Sequence, residues 1–294
     1  MTEKTIEEKV REKEPDSLDI SVEGFGPWSI SKLNVAEKCP LKFYLQYLVK
    51  LKVGTPVYNL ITDVGKAAHR VLEFIVMGKS VGDSLTLTRR EFAHMPDQVW
   101  KDNMLTLEYN INEFRDKIES FGKQHPVKRF VQELRIGFTR DYQPTGFFAD
   151  DVFFRGILDL GIQMETKDVV IIDHKTGAPS LLGIRNFKTQ LDTYKILFNF
   201  GVEEIEGAQS GIHFVRDGKI LLDDYVSKAD ITGKLVRELE HNLSGAIDRI
   251  KELGHFKHVR GNHCKYCDYN VDCKAGKFEN IEKESAKYFP IKQV

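Results

Sequence analysis

The chain has 294 residues, of which 41% are hydrophobic and 30% charged, which suits one large globular domain or a domain with a small appendage. The formal net charge is −1, so no global positive field draws in an anionic polymer, and any such contact must rest on a local basic surface. No apolar run is long enough to span a bilayer, and the charged stretch from Met1 to Asp16 lacks a signal-peptide core. The sequence therefore reads as that of an intracellular, cytoplasmic protein with no membrane partner, in which the four cysteines are free thiols, metal ligands or catalytic groups rather than disulfides.

Residues 1–18 are polar with mixed charge and read as a disordered or flexible, loosely helical leader ending at Pro15, with a helix that packs on a partner as the alternative. Ser29 or Ser31 caps a helix carrying Leu33 and Ala36, and Pro40 interrupts the apolar pattern directly after Cys39. A second helix runs over about 63–77 with Val64, Ala68, Val71, Leu72 and Ile75 as its stripe. Residues 88–123 look helical with a break near Pro96, inside a segment of about 78–128 that reads as a helical insertion. The period then changes to two. Leu134, Ile136 and Phe138 alternate with Glu133 and Arg135 in a strand, 152–164 form a second, and 169–173 a third. The Val-Val-Ile-Ile run of the third suits a central strand buried on both faces. A helix at 184–199 carries Phe187, Leu191, Tyr194 and Phe198, and strands at 212–215 and 220–226 flank the hairpin dipeptide Asp217-Gly218. A long helix over 228–253 leads into a cysteine-rich stretch, 261–276, and a polar tail, 277–294. There is no internal repeat and no G-x-x-x-x-G-K-[ST] loop, so nothing points to a nucleotide-driven motor. The expected fold class is α/β, a mixed central sheet of roughly five strands flanked by helices.

The sequence Gly156-Ile157-Leu158-Asp159, followed by Asp173-His174-Lys175, places one carboxylate inside a strand and a second at the end of the next. Were the strands neighbours, both carboxylates would converge at one edge of the sheet, with Lys175 on the same side as Asp173. Two carboxylates in an oxygen-rich setting suit Mg²⁺ or Mn²⁺, and a lysine beside them can orient water or offset charge on a phosphate. The alternative is a solvated strand end, against which stands the apolar run from Val169 to Ile172. His69 and Glu73 share a helix face, where a surface or core role and simple helix support serve equally. Gln190 and Tyr194 form a similar pair that packing explains about as well as substrate contact.

Cys264-x2-Cys267-x5-Cys273 is a tight group, and Cys39 stands far upstream. Four soft thiolates select zinc or an iron–sulfur cluster. Zn²⁺ held by the three clustered cysteines and His263, with Cys39 a buried thiol, is the other arrangement. Spacing does not separate the two.

Taken in order, Ser29-Ile30-Ser31-Lys32-Leu33 leading to Cys39-Pro40, Gly65 to His69, Gly156 to Asp159, Asp173-His174-Lys175-Thr176-Gly177, Gln190 with Tyr194, and the closing cysteines resemble the RecB-like nucleases of the PD-(D/E)XK superfamily. The similarity spans about 29–273 and is greatest to the iron–sulfur branch, which includes the AddB nuclease domain and the CRISPR-adaptation nuclease. The resemblance implies a restriction-endonuclease-like fold over 19–276, with a helical N-terminal and C-terminal lobe joined by a 4Fe–4S cluster on Cys39, Cys264, Cys267 and Cys273. It implies Mg²⁺ or Mn²⁺ held by His69, Asp159, Asp173 and the backbone carbonyl of His174, with Lys175 as the catalytic lysine. Gln190 and Tyr194 would lie beside the site and near DNA, and Glu133 would match an acidic position upstream of Asp159. The implied function is a metal-dependent DNA nuclease, a single-strand exonuclease of repair, recombination, CRISPR adaptation or phage DNA metabolism. A structure- or duplex-specific endonuclease and a non-catalytic DNA-binding subunit are the competing readings. The partners implied are DNA and a helicase or recombination protein. His174 stands where the family often has tyrosine, and 78–128 and the tail match none of its motifs.

Overall fold

The computed structural model describes residues 4–52, 60–177 and 181–289. Helices α1 (Ile6–Arg11), α2 (Ile30–Lys38), α3 (Pro40–Phe43), α4 (Leu60–Val76), α5 (Val81–Glu91), α6 (Asp97–Asn103) and α7 (Glu108–Gln124) come first. Strands β1 (Val127–Phe138), β2 (Pro144–Thr145), β3 (Phe154–Met164) and β4 (Asp168–Lys175) follow. Next are α8 (Leu181–Gly201), β5 (Gly207–Phe214), β6 (Lys219–Leu222), β7 (Val226–Ser227) and α9 (Lys228–Asp230). The chain closes with α10 (Val236–Leu253), α11 (Asn270–Lys274) and α12 (Glu279–Glu284). They form two compact units, residues 60–236 and residues 4–52 with 237–289. No helix among the described residues is long and apolar enough to cross a membrane.

The larger unit is α/β, built on a seven-stranded sheet of order β2-β1-β3-β4-β5-β6 with β7 beside β5. Only β4 and β5 pair in parallel, and α8 supplies the crossover that a parallel pair requires. The expected five strands become seven for two reasons. The strand β2 has only two residues, too few for a periodic signal. The run 220–226 splits into β6 and β7 around Asp223, whose carboxylate accepts hydrogen bonds from the Ser210 amide and hydroxyl, each at 2.7 Å. The segment expected to be helical over about 78–128 carries three helices, α5, α6 and α7, the first capped by Ser80.

One face of the sheet is covered by α4, α5 and α7. Val71, Leu72, Ile111 and Phe114 pack there with Leu160 and Ile172, all nearly excluded from solvent. The other face carries α8. Val131 pairs with Gly161 and Ile136 with Gly156, and both pairs meet α8: a Cβ on Gly161 would lie 3.1 Å from Phe198, and one on Gly156 2.5 Å from Leu197. Positions an odd number of residues apart cannot share a face in a regular strand. The break in alternation falls at Glu133, whose φ of +43° is a left-handed conformation that few non-glycine residues adopt.

The smaller unit has an aromatic core. Trp28 stacks on Phe43 at 5.9 Å and Tyr44 on Phe256 at 4.7 Å. Ser29 caps α2 by accepting from the Lys32 amide, and Pro40 opens α3 at a position that needs no amide donor. The first and last described residues are ordered, where a disordered leader and a polar tail were expected. Thr5 and Glu8 form a capping box on α1, Val10 is 1% exposed, and Tyr44 donates to Glu14 at 2.5 Å. At the other end Phe278 and Ile281 are each 2% exposed. In both segments a few apolar side chains, spaced to share one face, are diluted by lysine and glutamate, so composition conceals them.

Because Val10 packs inside this unit, Val10→Ala should lower the unfolding free energy by about 1–2 kcal/mol, from about 0.8 per methylene-sized group. Denaturant unfolding measures this, and a free leader would leave the transition unmoved.

Candidate active site

Strand register assembles the acidic cluster. Gln132 pairs with Leu160 and Leu160 with Ile172, so Glu133, Asp159 and Asp173 each stand one residue beyond that row on three adjacent strands. From α4, His69 reaches the same place. Its Nδ1 lies 3.6 Å from Asp159 Oδ2 and 4.0 Å from Glu133 Oε1. One ligand atom from each of His69, Glu133 and Asp159 falls within 4.8 Å of the others, which makes them a candidate metal centre. His69 Nε2 donates to the His174 carbonyl at 2.9 Å, and the His174 amide donates to Asp159 Oδ2 at 2.7 Å. The backbone of β4 thus holds both Asp159 and His69.

Asp173 is 2% exposed and is held by other partners. Its Oδ1 accepts from Gln190 Nε2 at 3.0 Å and from the Tyr194 hydroxyl at 3.4 Å, while Oδ2 faces Lys175 Nζ at 2.5 Å. Gln190 also donates to Tyr194 at 2.6 Å, so these two α8 residues act as one clamp on the carboxylate. The sequence-named residues therefore fall into two adjoining sets, His69 with Glu133 and Asp159, and Asp173 with Lys175, Gln190 and Tyr194. Glu73 belongs to neither. It pairs with Arg70 at 2.5 Å, and Arg70 in turn holds Glu91 at 2.9 Å.

The His174 ring turns into the core, where its Nδ1 lies 3.0 Å from Nδ1 of His213 and Phe114 stacks on His213 at 4.5 Å. Burial pushes the His174 ring down to about 4, so it is neutral in ordinary buffers. His213 carries no local signal in the sequence. Only the parallel register of β4 and β5 sets it opposite His174.

The charges respond to this crowding. Burial works against the Asp159 carboxylate, yet His69 and the His174 amide hold it below the usual range. Burial, followed by the charges of Asp159 and Glu73, pushes Glu133 up to about 7. Burial pushes Asp173 up to about 6 from an ordinary value of 3.8; Lys175 opposes the rise and Asp159 adds to it. A folded-state value above the unfolded one means the native protein holds that proton more tightly. Its contribution to stability is fully present below about 3.8 and is lost as pH rises through about 6. Metal-free protein should therefore lose thermal stability from pH 4 to pH 7, and Asp173→Asn should flatten that slope in melting curves. Equal slopes for the two proteins would contradict the assigned burial.

The four cysteines all lie in the smaller unit, where Cys39, Cys264, Cys267 and Cys273 line one cavity together with Leu41, Leu45 and Phe278. Burial raises the thiols of Cys267 and Cys273. Among the described residues no three of these sulfurs come within 4.8 Å of one another. His263 engages its Nε2 with the Val259 carbonyl at 3.0 Å.

Residues 27–274 match the sequence pattern of the family described as the PD-(D/E)XK nuclease superfamily. Among solved structures, a candidate exonuclease from Eubacterium rectale is similar over 83% of this chain and 86% of its own, at 12% identity and a TM-score of 0.45. The protein SSO0001 is similar over 80% and 94%, at 18% identity and a TM-score of 0.31. Among curated proteins none matches. With the matched pattern covering most of its length, the chain belongs to the PD-(D/E)XK nuclease superfamily.

Proposed function

We propose that the chain is a divalent-metal-dependent nuclease that hydrolyses DNA phosphodiester bonds, of the RecB-like kind, acting exonucleolytically on single strands. The observation that carries this reading is the alignment of Glu133, Asp159 and Asp173 across three strands beside His69 and Lys175. The donor set fits Mg²⁺ or Mn²⁺, since carboxylate oxygens, a carbonyl and one imidazole are the hard and borderline ligands these ions accept. The His69 ring is already held beside these oxygens by its hydrogen bond to the His174 carbonyl. His69, Glu133, Asp159 and the His174 carbonyl would hold the cation, with Asp173 next to them.

When bound, such a cation supplies Lewis acidity at the phosphoryl oxygen and lowers the pKa of an attacking water. The chain's own groups do the positioning. The His174 amide and the His69 ring fix Asp159, and Gln190 and Tyr194 fix Asp173 Oδ1, leaving Oδ2 toward Lys175. The Lys175 ammonium can then orient water and offset charge gathering on the phosphate.

For the cysteines we propose a 4Fe–4S cluster of structural role. Four thiols on one cavity suit a soft metal group. Tetrahedral zinc with Zn–S near 2.3 Å would need sulfurs about 3.8 Å apart. The wider spacing favours a larger group. Such a group would tie the chain's early and late segments within this one unit.

Two measurements test the reading. With Mg²⁺ or Mn²⁺, end-labelled single-stranded DNA should shorten stepwise, and Lys175→Ala should slow this by roughly 10²- to 10³-fold. A cluster-loaded wild type that binds DNA and never cuts it would sink the enzyme reading. Anaerobically purified protein should be brown and contain iron, and Cys264→Ser should lose both the colour and thermal stability. A colourless preparation containing zinc would refute the cluster alone.

A further inference from the structure

The loop of residues 139–153 contributes nothing to the carboxylate cluster, yet it folds back over β1 and β3. Ile136 and Phe138 point into the core, at 2% and 0% exposure, so Arg135 and its register partner Ile157 point outward. Arg155, opposite Gly137, donates to the Phe147 carbonyl at 2.9 Å. Two aromatic rings lie over these arginines. The Arg135 guanidinium is 6.0 Å from the ring of Phe147 and 5.9 Å from that of Phe148, and Arg155 is 4.9 Å and 5.7 Å away. The rings meet edge to face at 4.9 Å, and Phe148 is 73% exposed.

A lone exposed phenylalanine is ordinary and needs no explanation. Here the exposed ring is backed by a second ring and by two cations, and among the described residues neither arginine is ion-paired to a carboxylate. In a chain of net charge −1, these are two cations beneath an aromatic face, in a loop that also carries the exposed Asp141, Asp150 and Asp151. Its position is informative. Arg135 is two residues from Glu133 on the same strand, about 7 Å away. Its charge reaches that carboxylate, pulling it against the rise that burial causes. Along a stacked strand about 7 Å corresponds to about two nucleotides.

We propose that Phe148, backed by Phe147 and flanked by Arg135 and Arg155, is a stacking platform that receives a base of single-stranded DNA beside the carboxylate cluster. The arginines take the adjoining phosphates while the ring takes the base. A duplex hides its internal base faces in its own stack and offers the ring none along its length, so the platform selects single strands. This rests on the nuclease reading and adds the residues that choose the substrate. Aromatic faces accept any base, so the preference is for strandedness rather than sequence.

The test is fluorescence anisotropy with labelled oligothymidylate and a blunt duplex, using the full chain without added divalent metal. Phe148→Ala should weaken single-strand binding roughly 5- to 100-fold, and duplex binding should not change. Phe148→Trp should retain single-strand affinity, and Arg135→Gln should reduce the salt slope for single strands by about 0.7. Because Phe148 is exposed, these substitutions leave the core intact. Unchanged single-strand binding by Phe148→Ala, or an equal loss on duplex, would overturn the platform. Cleavage by wild type with Mn²⁺ is scored separately. Cutting with no binding defect in Phe148→Ala removes the platform alone, whereas the expected binding defect without any cutting supports the platform and removes the nuclease reading.

Discussion

Carboxylates on neighbouring strands repel one another, and in a partly dry setting the repulsion is much stronger than in water. Glu133, Asp159 and Asp173 meet under that constraint, and the groups around them divide the charge unequally. Asp159 is kept ionised by His69 and by a backbone amide. Asp173 is allowed to hold its proton more tightly, although Lys175 and two hydrogen-bond donors surround it. Glu133, at the more exposed edge, is pushed up to about 7, first by burial and then by the neighbouring carboxylates. Such crowding of charge is costly unless a cation offsets it, which is why the cluster stands as a candidate metal centre.

The geometry behind this division comes from the sheet. An antiparallel pair, β1 with β3, and another, β3 with β4, bring three positions into one row. The left-handed Glu133 re-aims its side chain at the point where β1 changes the face it shows to α8, much as a bulge does in other sheets. The backbone of His174 serves Asp159 and His69, while its ring locks β4 to β5 through His213 under Phe114. A single residue thus links the carboxylate edge to the core, and its neutral, buried ring needs no charge to do so.

In the smaller unit the same economy appears with thiols. Pro40 ends α2 and starts α3, leaving Cys39 extended between them, and Cys264 and Cys273 lie on short helical turns with Cys267 extended between those, all lining the same cavity. Stacked aromatics hold this frame together, and α1 and α12 belong to the same unit through Val10 and Ile281.

By itself the sequence determined what short-range physics can decide. Helical periodicity placed α4 and α8, the apolar run of Val169 to Ile172 marked an interior strand, and the residues Asp159, Asp173, Lys175 and His69 stood out by type and setting. The cysteine spacing raised the expectation of a soft-metal site without choosing its occupant. Tertiary structure decided the rest. Glu133 became a member of the cluster only through strand register, and His213 found His174 only through a parallel crossover. Arg135 and Phe148 met only because a loop folds back on its own strands. Each of these depends on contacts between segments distant in the chain, whose free energy is a property of packing and register rather than of any local window. The apolar minority in the leader and tail was hidden for the same reason: Val10 and Ile281 acquire meaning from the surfaces they cover.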